Sequence, residues 1–358
     1  MSRPTLTAVI PIFNEESVIP ELHKRLQDLL SAIEAGAGAR GTSPFTTEVV
    51  FVDDGSKDAS LAMLRDLSAQ EPRYRVVSFA RNFGHQRAIT AGIDYARGEA
   101  VVVMDADLQD PPEVVVEMVQ KWREGFDVVY GKRRSRQGET FFKLLTAKIF
   151  YRTFAAMIPI EVPLDTGDFR LMSRKVVLAL RSLREAHRFV RGMVSWVGFR
   201  QTAVLYDRHE RFAGETKYPL SKMIRFAIDG ITSFSVLPLR FSTYLGMFVS
   251  VVAIAVALWA VVAQVVFHAT VPGWTAIVVL VALLAAAQLL MIGILGEYIG
   301  RIYEQVKERP LYVVKEKVNL AHSVDDDSDD DEPATGPLTP LHIAVPNGDD
   351  DDLAESPS

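Results

Sequence analysis

The chain has 358 residues, 49% hydrophobic and 23% charged, enough for two domains and a sizeable core. It contains no cysteine, which excludes a disulfide framework, a thiolate zinc site and a cysteine nucleophile. The formal net charge of −6 is unevenly spread. Residues 322–358 hold 12 of the 45 Asp and Glu and no Lys or Arg, so residues 1–321 carry a basic excess.

The first apolar stretch, Leu6 to Phe13, is short, contains Pro11 and runs into Asn14-Glu15-Glu16, unlike a signal peptide. Val- and Ile-rich runs follow at 48–53, 75–79, 100–104 and 127–131, after the first at 6–12. Helix-like segments lie between them near 16–34, 58–69, 85–96 and 112–124. Short buried strands alternating with helices predict a parallel α/β sheet. Gly36 to Thr47 reads as a surface insertion.

From Phe241 to Gly296 there is no Asp, Glu, Lys or Arg, and Pro272-Gly273 divides the stretch into 244–267 and 274–296. At 1.5 Å per residue each piece is roughly 35 Å long, enough for a hydrocarbon core of about 30 Å. The connection has no Lys or Arg, whereas Arg225, Arg240, Arg301, Lys307 and Arg309 flank the spans. The positive-inside rule therefore predicts a two-helix hairpin, multi-pass in the cytoplasmic membrane, with the α/β domain and both termini cytoplasmic. Pro219 to Leu237 has one apolar face and reads as an interfacial helix beside the bilayer; Thr140 to Met157 is a second, less regular candidate. The expected organisation is thus 1–215 catalytic, 216–240 juxtamembrane helix, 241–300 spans, 301–321 basic segment and 322–358 disordered acidic tail.

Three acidic clusters fall where strands should end: Asn14-Glu15-Glu16, Asp53-Asp54-Gly55-Ser56 and Asp105-Ala106-Asp107-Leu108-Gln109. Ligands of open α/β sheets bind at the carboxyl ends of strands. Carboxylates gathered there repel one another unless a cation or donor groups join them. A hard ion such as Mg²⁺ or Mn²⁺ takes a few protein oxygens and completes its shell with water and phosphate. Asp-x-Asp with Gln109 just beyond suits such an ion, which a departing pyrophosphate needs. Each cluster also has a plainer structural use: Asp-Gly-Ser makes turns, and Ser56 or Asp58 can cap a helix. Neither G-x-G-x-x-G nor a P-loop is present, against a dinucleotide enzyme or an ATPase.

Pro11-Ile12-Phe13-Asn14-Glu15, Asp53-Asp54-Gly55-Ser56 and Asp105-Ala106-Asp107-Leu108-Gln109, in this order, resemble glycosyltransferase family 2. Gly131-Lys132-Arg133, Asp165-Thr166-Gly167-Asp168-Phe169-Arg170 and Arg211 to Tyr218 extend the likeness, and with two spans the chain resembles the polyprenyl-phosphate glycosyltransferases over roughly residues 5–315. The resemblance implies a GT-A, Rossmann-like fold and inverting transfer of one sugar from a nucleotide-sugar to a polyprenyl phosphate such as undecaprenyl phosphate. UDP-glucose is the favoured donor, with GDP-mannose or a modified sugar as the alternatives, and a homo-oligomer is expected. It places Pro11, Phe13, Asn14, Glu15, Asp53, Asp54 and Asp105 at the nucleotide-sugar, and Asp105, Asp107 and Gln109 at Mg²⁺ or Mn²⁺.

A phosphate monoester has a second pKa near 6, so the acceptor is already an anionic nucleophile at neutral pH and needs cations more than a base. Arg133, Arg136 and Arg170 are the candidates, since guanidinium matches phosphate geometry. Asp107, Asp168 and Arg170 form the expected catalytic set. For Asp168 the sequence leaves open orienting the acceptor, acting as base, binding a sugar hydroxyl, holding Arg170 or capping a turn. His85 and His187 lack matching partners and read as structural or surface residues. Two other readings compete. A processive polysaccharide synthase would carry Q-x-x-R-W and further spans, but Lys121 precedes Trp122 and Ser195 precedes Trp196. A non-enzymatic membrane scaffold would not need intact acidic clusters. No nucleic-acid motif is present.

Overall fold

The structure is a computed structural model that describes residues 4–38, 45–134, 166–207, 237–267 and 273–320. The candidate helices at 140–157 and 219–237 (but for Leu237), Arg136, the Arg211–Tyr218 motif and the acidic tail lie outside the described residues.

The expected alternation is present. Strands β1 (Leu6–Ile12), β2 (Thr47–Asp53), β3 (Tyr74–Phe79) and β4 (Ala100–Val103) alternate with helices α1 (Ile19–Gly38), α2 (Ser60–Gln70) and α3 (His85–Tyr95). Then come α4 (Val114–Arg123), β5 (Val128–Arg133), β6 (Thr166–Ser173), α5 (Arg174–Ser182), α6 (Val190–Trp196) and β7 (Gln201–Tyr206). Two long helices, α7 (Leu237–Phe267) and α8 (Trp274–Val306), precede a last strand, β8 (Val314–Val318). The sheet order is β7-β5-β6-β4-β1-β2-β3-β8. β1, β2, β3 and β4 run parallel, and β6 is inserted antiparallel between β4 and β5.

Every residue of β1 and of β2 is buried, which explains their unbroken apolar composition: both faces are covered. Leu6, Ala8, Ile10 and Ile12 pack with Leu22, Leu26 and Leu30 of α1 and Val115 and Met118 of α4 on one face. Val9, Val50, Val101 and Val103 meet Ala88, Ile89 and Ile93 of α3, Val176 and Leu180 of α5, and Met193 of α6 on the other. The period-two alternation thus feeds two apolar layers, helix–sheet–helix. Helix α3 lies unusually close to β1. A Cβ added at Gly92 would stand 2.0 Å from Val9 Cγ1, so only glycine permits that approach.

Because β2 and β3 build to one side of β1 and β4 lies on the other, the order in which strands are added reverses between β1 and β4, which still run parallel. A crevice opens at the carboxyl ends of these strands, the usual ligand position in such sheets.

Helices α7 and α8, of 31 and 33 residues, fold back on one another, with Gly246 of α7 against Met291 of α8. Where their side chains are described, the surfaces carry open apolar groups: Phe241, Phe248, Ile254, Leu289, Leu290 and Leu295 are all more than half exposed. Among the described residues one stretch, Leu283–Val306, is long and apolar enough to cross a membrane, and α7 contributes a shorter one, Leu237–Val252. Exposed apolar surface on this scale marks an interaction with lipid or protein.

The segment expected as a basic stretch at 301–321 instead carries the end of α8 and a strand of the main sheet. β8 pairs antiparallel with β3, Val76 opposite Val318 and Ser78 opposite Glu316. Tyr312 stacks on Phe79 with ring centroids 5.0 Å apart, and its hydroxyl donates to Asp94 Oδ2 at 2.8 Å. Arg65 pairs with Glu316, and the Asn319 amide donates to the carbonyls of Ser68 and Tyr74 at 2.6 and 3.0 Å. At the end of α8, the Gln305 side chain accepts from Ala186 N–H at 2.7 Å and donates to the Arg184 carbonyl at 3.1 Å.

Candidate active site

The three acidic clusters stand together at the mouth of the crevice because β1, β2 and β4 are neighbours in register: Ile12 lies opposite Asp53, and Val9 opposite Val103. Their roles within the fold differ. Asn14 takes a left-handed backbone, φ 55°, and knits two loops together: its N–H donates to Ser56 Oγ at 3.0 Å and its Oδ1 accepts from Lys57 N–H at 2.8 Å. Glu15 N–H donates to Ser60 Oγ at 2.9 Å. Pro11 is buried within β1, and Phe13 at its end is 42% exposed, an open aromatic at the crevice.

Both oxygens of buried Asp53 are occupied, accepting from Ser56 N–H at 3.0 Å and the Ser78 hydroxyl at 2.7 Å. Asp54 accepts from the N–H groups of Phe83 at 2.6 Å and Gly84 at 2.9 Å, the two residues that lead into α3. Burial raises the Asp54 pKa, against the backbone donors and His85, which lower it. The Asp-Asp-Gly turn is packed tightly: Gly55, at φ +69°, lies where an added Cβ would be 2.5 Å from the Arg81 carbonyl carbon. The paired aspartates thus shape the crevice and orient α3.

Asp105 and Asp107 follow β4. Leu108 between them and Gln109 is left-handed, φ 56°, and Gln109 N–H donates to Asp107 Oδ1 at 3.2 Å. Burial, with help from Asp168, Asp110 and Asp107, pushes the Asp105 pKa up to about 6, His85 opposing. Asp105 Oδ1 is a buried oxygen without a hydrogen-bond donor. Among the described residues no group of three or more His, Asp or Glu converges as a complete metal cage.

β6 supplies Asp168 and Arg170, both buried. Asp168 accepts two bonds from Arg191, Nε to Oδ1 at 2.9 Å and Nη2 to Oδ2 at 3.2 Å, and one from Gln86 Nε2 at 3.1 Å. Burial opposes its charge, yet Arg191 and the surrounding donors hold its carboxyl well below the usual carboxylate range. Arg170 Nη2 donates to the Gly167 carbonyl at 3.0 Å, and burial pulls its pKa down to about 10 against the pull of Asp168. Its guanidinium therefore lies inside the domain, where the sequence suggested a group open to a lipid phosphate. Arg133 is partly exposed. Its Nη2 is 3.9 Å from Asp110 Oδ1, and its Nε is 3.4 Å from the Tyr206 hydroxyl, which also bonds Asp110.

The reading of His85 as structural or surface is corrected. Its Nε2 lies 3.4 Å from Asp105 Oδ1 and 3.5 Å from Asp168 Oδ2, bridging the two acidic groups of the site. Burial disfavours its charge, but Asp168 and Asp105 outweigh this and its pKa is raised. His187 pairs with Glu304 at 2.9 Å, away from these groups. Sequence reasoning also missed Gln86 and Arg191. For His85 and Gln86 a signal existed: they follow β3 just as the acidic clusters follow β1, β2 and β4. Arg191 has no local signal, since only tertiary folding brings it to Asp168.

The sequence matches the glycosyl transferase family 2 pattern over residues 7–181. It is 48% identical over 312 residues to the uncharacterized glycosyltransferase YkcC of Bacillus subtilis (strain 168), covering 87% of this chain and 94% of that protein. Over 310 residues it is 40% identical to the SfII prophage-derived bactoprenol glucosyl transferase of Shigella flexneri, covering 87% and 97%. The prophage bactoprenol glucosyl transferase homolog of Escherichia coli (strain K12) is 38% identical over 310 residues, covering 87% and 98%.

Proposed function

The chain belongs to glycosyltransferase family 2, and from that premise we propose that it transfers a single sugar, with inversion, from a nucleotide-sugar to polyprenyl phosphate at a membrane. It is a glycosyltransferase with the GT-A, Rossmann-like α/β fold. The observation that carries the reading is the Asp105–Asp107 pair at the strand-order reversal, at the sheet end that also holds exposed Phe13 and the β5 terminus with Arg133, in a chain whose bactoprenol glucosyl transferase relatives align along almost their whole length.

The donor's base would rest near Phe13, with Asp53 and Asp54 holding the turn beneath it. Asp105 Oδ1, which among the described residues accepts no hydrogen bond and has only His85 Nε2 at 3.4 Å, suits a hard cation: two protein carboxylates, with phosphates and water completing the shell. Asp105 and Asp107, with Gln109, would hold Mg²⁺ or Mn²⁺, which when bound neutralises the charge on the departing nucleotide diphosphate. Asp168, held ionised by Arg191, is poorly matched to a base, whose pKa should lie near the working pH. None is needed. An acceptor phosphate oxygen forms the bond to the anomeric carbon as the bond to the nucleotide diphosphate breaks on the opposite face, and no proton has to move. Arg133, a partly exposed guanidinium at the end of β5, is suited to steer that phosphate.

UDP-glucose is the proposed donor, with GDP-mannose second. We further infer that α7 and α8 both cross the bilayer, joined outside the cytoplasm, and that the protein assembles as a homo-oligomer. The chain's lack of cysteine makes the topology testable with a single cysteine placed in 268–273 and a membrane-impermeant maleimide. For activity, purified protein with Mn²⁺ or Mg²⁺ should move radiolabel from UDP-glucose into undecaprenyl phosphate, and Asp107→Ala should abolish it. Full transfer by Asp107→Ala would sink the metal assignment, and no lipid-soluble product from any nucleotide-sugar would sink the acceptor.

A further inference from the structure

Asp168 is a short side chain on β6 that would turn about two torsions if left alone. Three hydrogen bonds remove that freedom. The Arg191 guanidinium grips both oxygens in a fork, at 2.9 and 3.2 Å, and the Gln86 amide adds a third bond at 3.1 Å. Gln86 is itself fixed: its Oε1 accepts from Val190 N–H at 3.1 Å, and its carbonyl accepts from the Thr90 hydroxyl at 2.7 Å. The first turns of α3 and α6 are thereby tied to each other and to one carboxylate. The same Oδ2 that takes Arg191 Nη2 and Gln86 also lies 3.5 Å from His85 Nε2, which reaches Asp105 as well. The plane of Asp168 therefore sets where His85 stands beside the donor-binding aspartates.

We propose that Arg191 and Gln86 are positioning residues for sugar transfer, acting through Asp168 to fix its carboxylate plane and so the seat of His85 next to Asp105. This rests on the transferase reading above and adds two residues that reach the reaction only indirectly. A merely neutralising Arg191 would need charge alone. A positioning Arg191 needs the planar two-donor fork, which lysine does not supply.

The test compares wild type, Arg191→Lys, Arg191→Ala and Gln86→Leu in detergent with Mn²⁺. Release of UDP from UDP-glucose is followed with and without undecaprenyl phosphate, alongside melting temperature. Positioning predicts that Arg191→Lys loses kcat on the order of 10²-fold, as for a small misplacement of a reacting group, with the KM for UDP-glucose within about twofold and little change in melting. Gln86→Leu should show a smaller loss of the same kind. Wild-type kcat in Arg191→Lys, with loss only in Arg191→Ala, would reduce Arg191 to a counter-charge and overturn the proposal. Parallel loss of melting temperature, KM and kcat in both Arg191→Lys and Gln86→Leu would overturn it as well, leaving a structural role. If wild type releases UDP but never uses the lipid, the acceptor reading fails, and the variants' UDP release still decides the clamp.

Discussion

Asp105 is a carboxylate held where ionisation is costly, and replacing it with asparagine should make the metal-free protein more stable while removing its function. Burial and the neighbouring Asp168, Asp110 and Asp107 carry its pKa from 3.8 to about 6. At roughly 1.4 kcal/mol per pH unit this is a penalty of about 3 kcal/mol in a dry site. The side chain is 35% open to water, and screening brings the figure to roughly 1 kcal/mol. The sign follows from proton binding. Between the unfolded pKa near 3.8 and the folded value of about 6, the folded state holds the proton that the unfolded state has released. Stability is therefore lost as pH rises through that window, and the full penalty applies above it. Asp105→Asn should match wild type near pH 4 and melt about 2–4 °C higher at pH 8, since roughly 1 kcal/mol moves a domain of this size by that much. Mn²⁺ should raise the melting temperature of wild type and not of the variant, because a ligand selective for the folded state stabilises it. The assay is thermal unfolding in detergent across pH 4–8, with and without Mn²⁺. A variant less stable than wild type at pH 8, or a difference that does not change with pH, would refute the reasoning.

Gly92→Ala forces a Cβ to within 2.0 Å of Val9 Cγ1, and overpacking should cost about 2–3 kcal/mol despite alanine's better helix propensity. Adding Val9→Ala should recover part of this in denaturant titrations; no loss in the single variant would contradict the close packing of α3 on β1. Tyr312→Phe removes a hydroxyl bonded to the Asp94 carboxylate and should lower stability by about 1.5–3 kcal/mol, read as a lower melting temperature. Asp54→Ala leaves the Phe83 and Gly84 N–H groups without their acceptor and should cost about 1–2 kcal/mol, with calorimetry showing weaker UDP-glucose binding as the turn loosens.

The first half of the fold was legible because its strands are buried on both faces and announce themselves as apolar runs. The run at 75–79 is β3, Tyr74–Phe79, and that at 127–131 is β5, Val128–Arg133. The acidic clusters were legible as a group because a parallel sheet delivers every strand's carboxyl end to one edge. β6 was not legible as a strand, since buried Asp168 and Arg170 break its apolar pattern and are compensated only by residues distant in sequence. β8, with Lys315, Glu316 and Lys317 in five residues, resembles a solvated basic stretch, and its pairing with β3 depends on a chain reversal through two long helices. His85 changes from a histidine without partners to the bridge between Asp105 and Asp168 for the same reason: both partners come from other strands.

The return of β8 to the sheet has a consequence for how the protein is made and cut. β8 leaves the ribosome after both long helices, so β3 stays an open edge, with unpaired backbone groups from Val76 to Phe79, until both helices have been made. A shortened protein ending before Leu237 keeps that edge bare and loses the Tyr312 and Asn319 contacts, which makes it a template for aggregation rather than a soluble catalytic fragment. Conversely, a protease cut between Tyr206 and Leu237 severs the chain without freeing the catalytic half, because the strand beyond the hairpin still holds it.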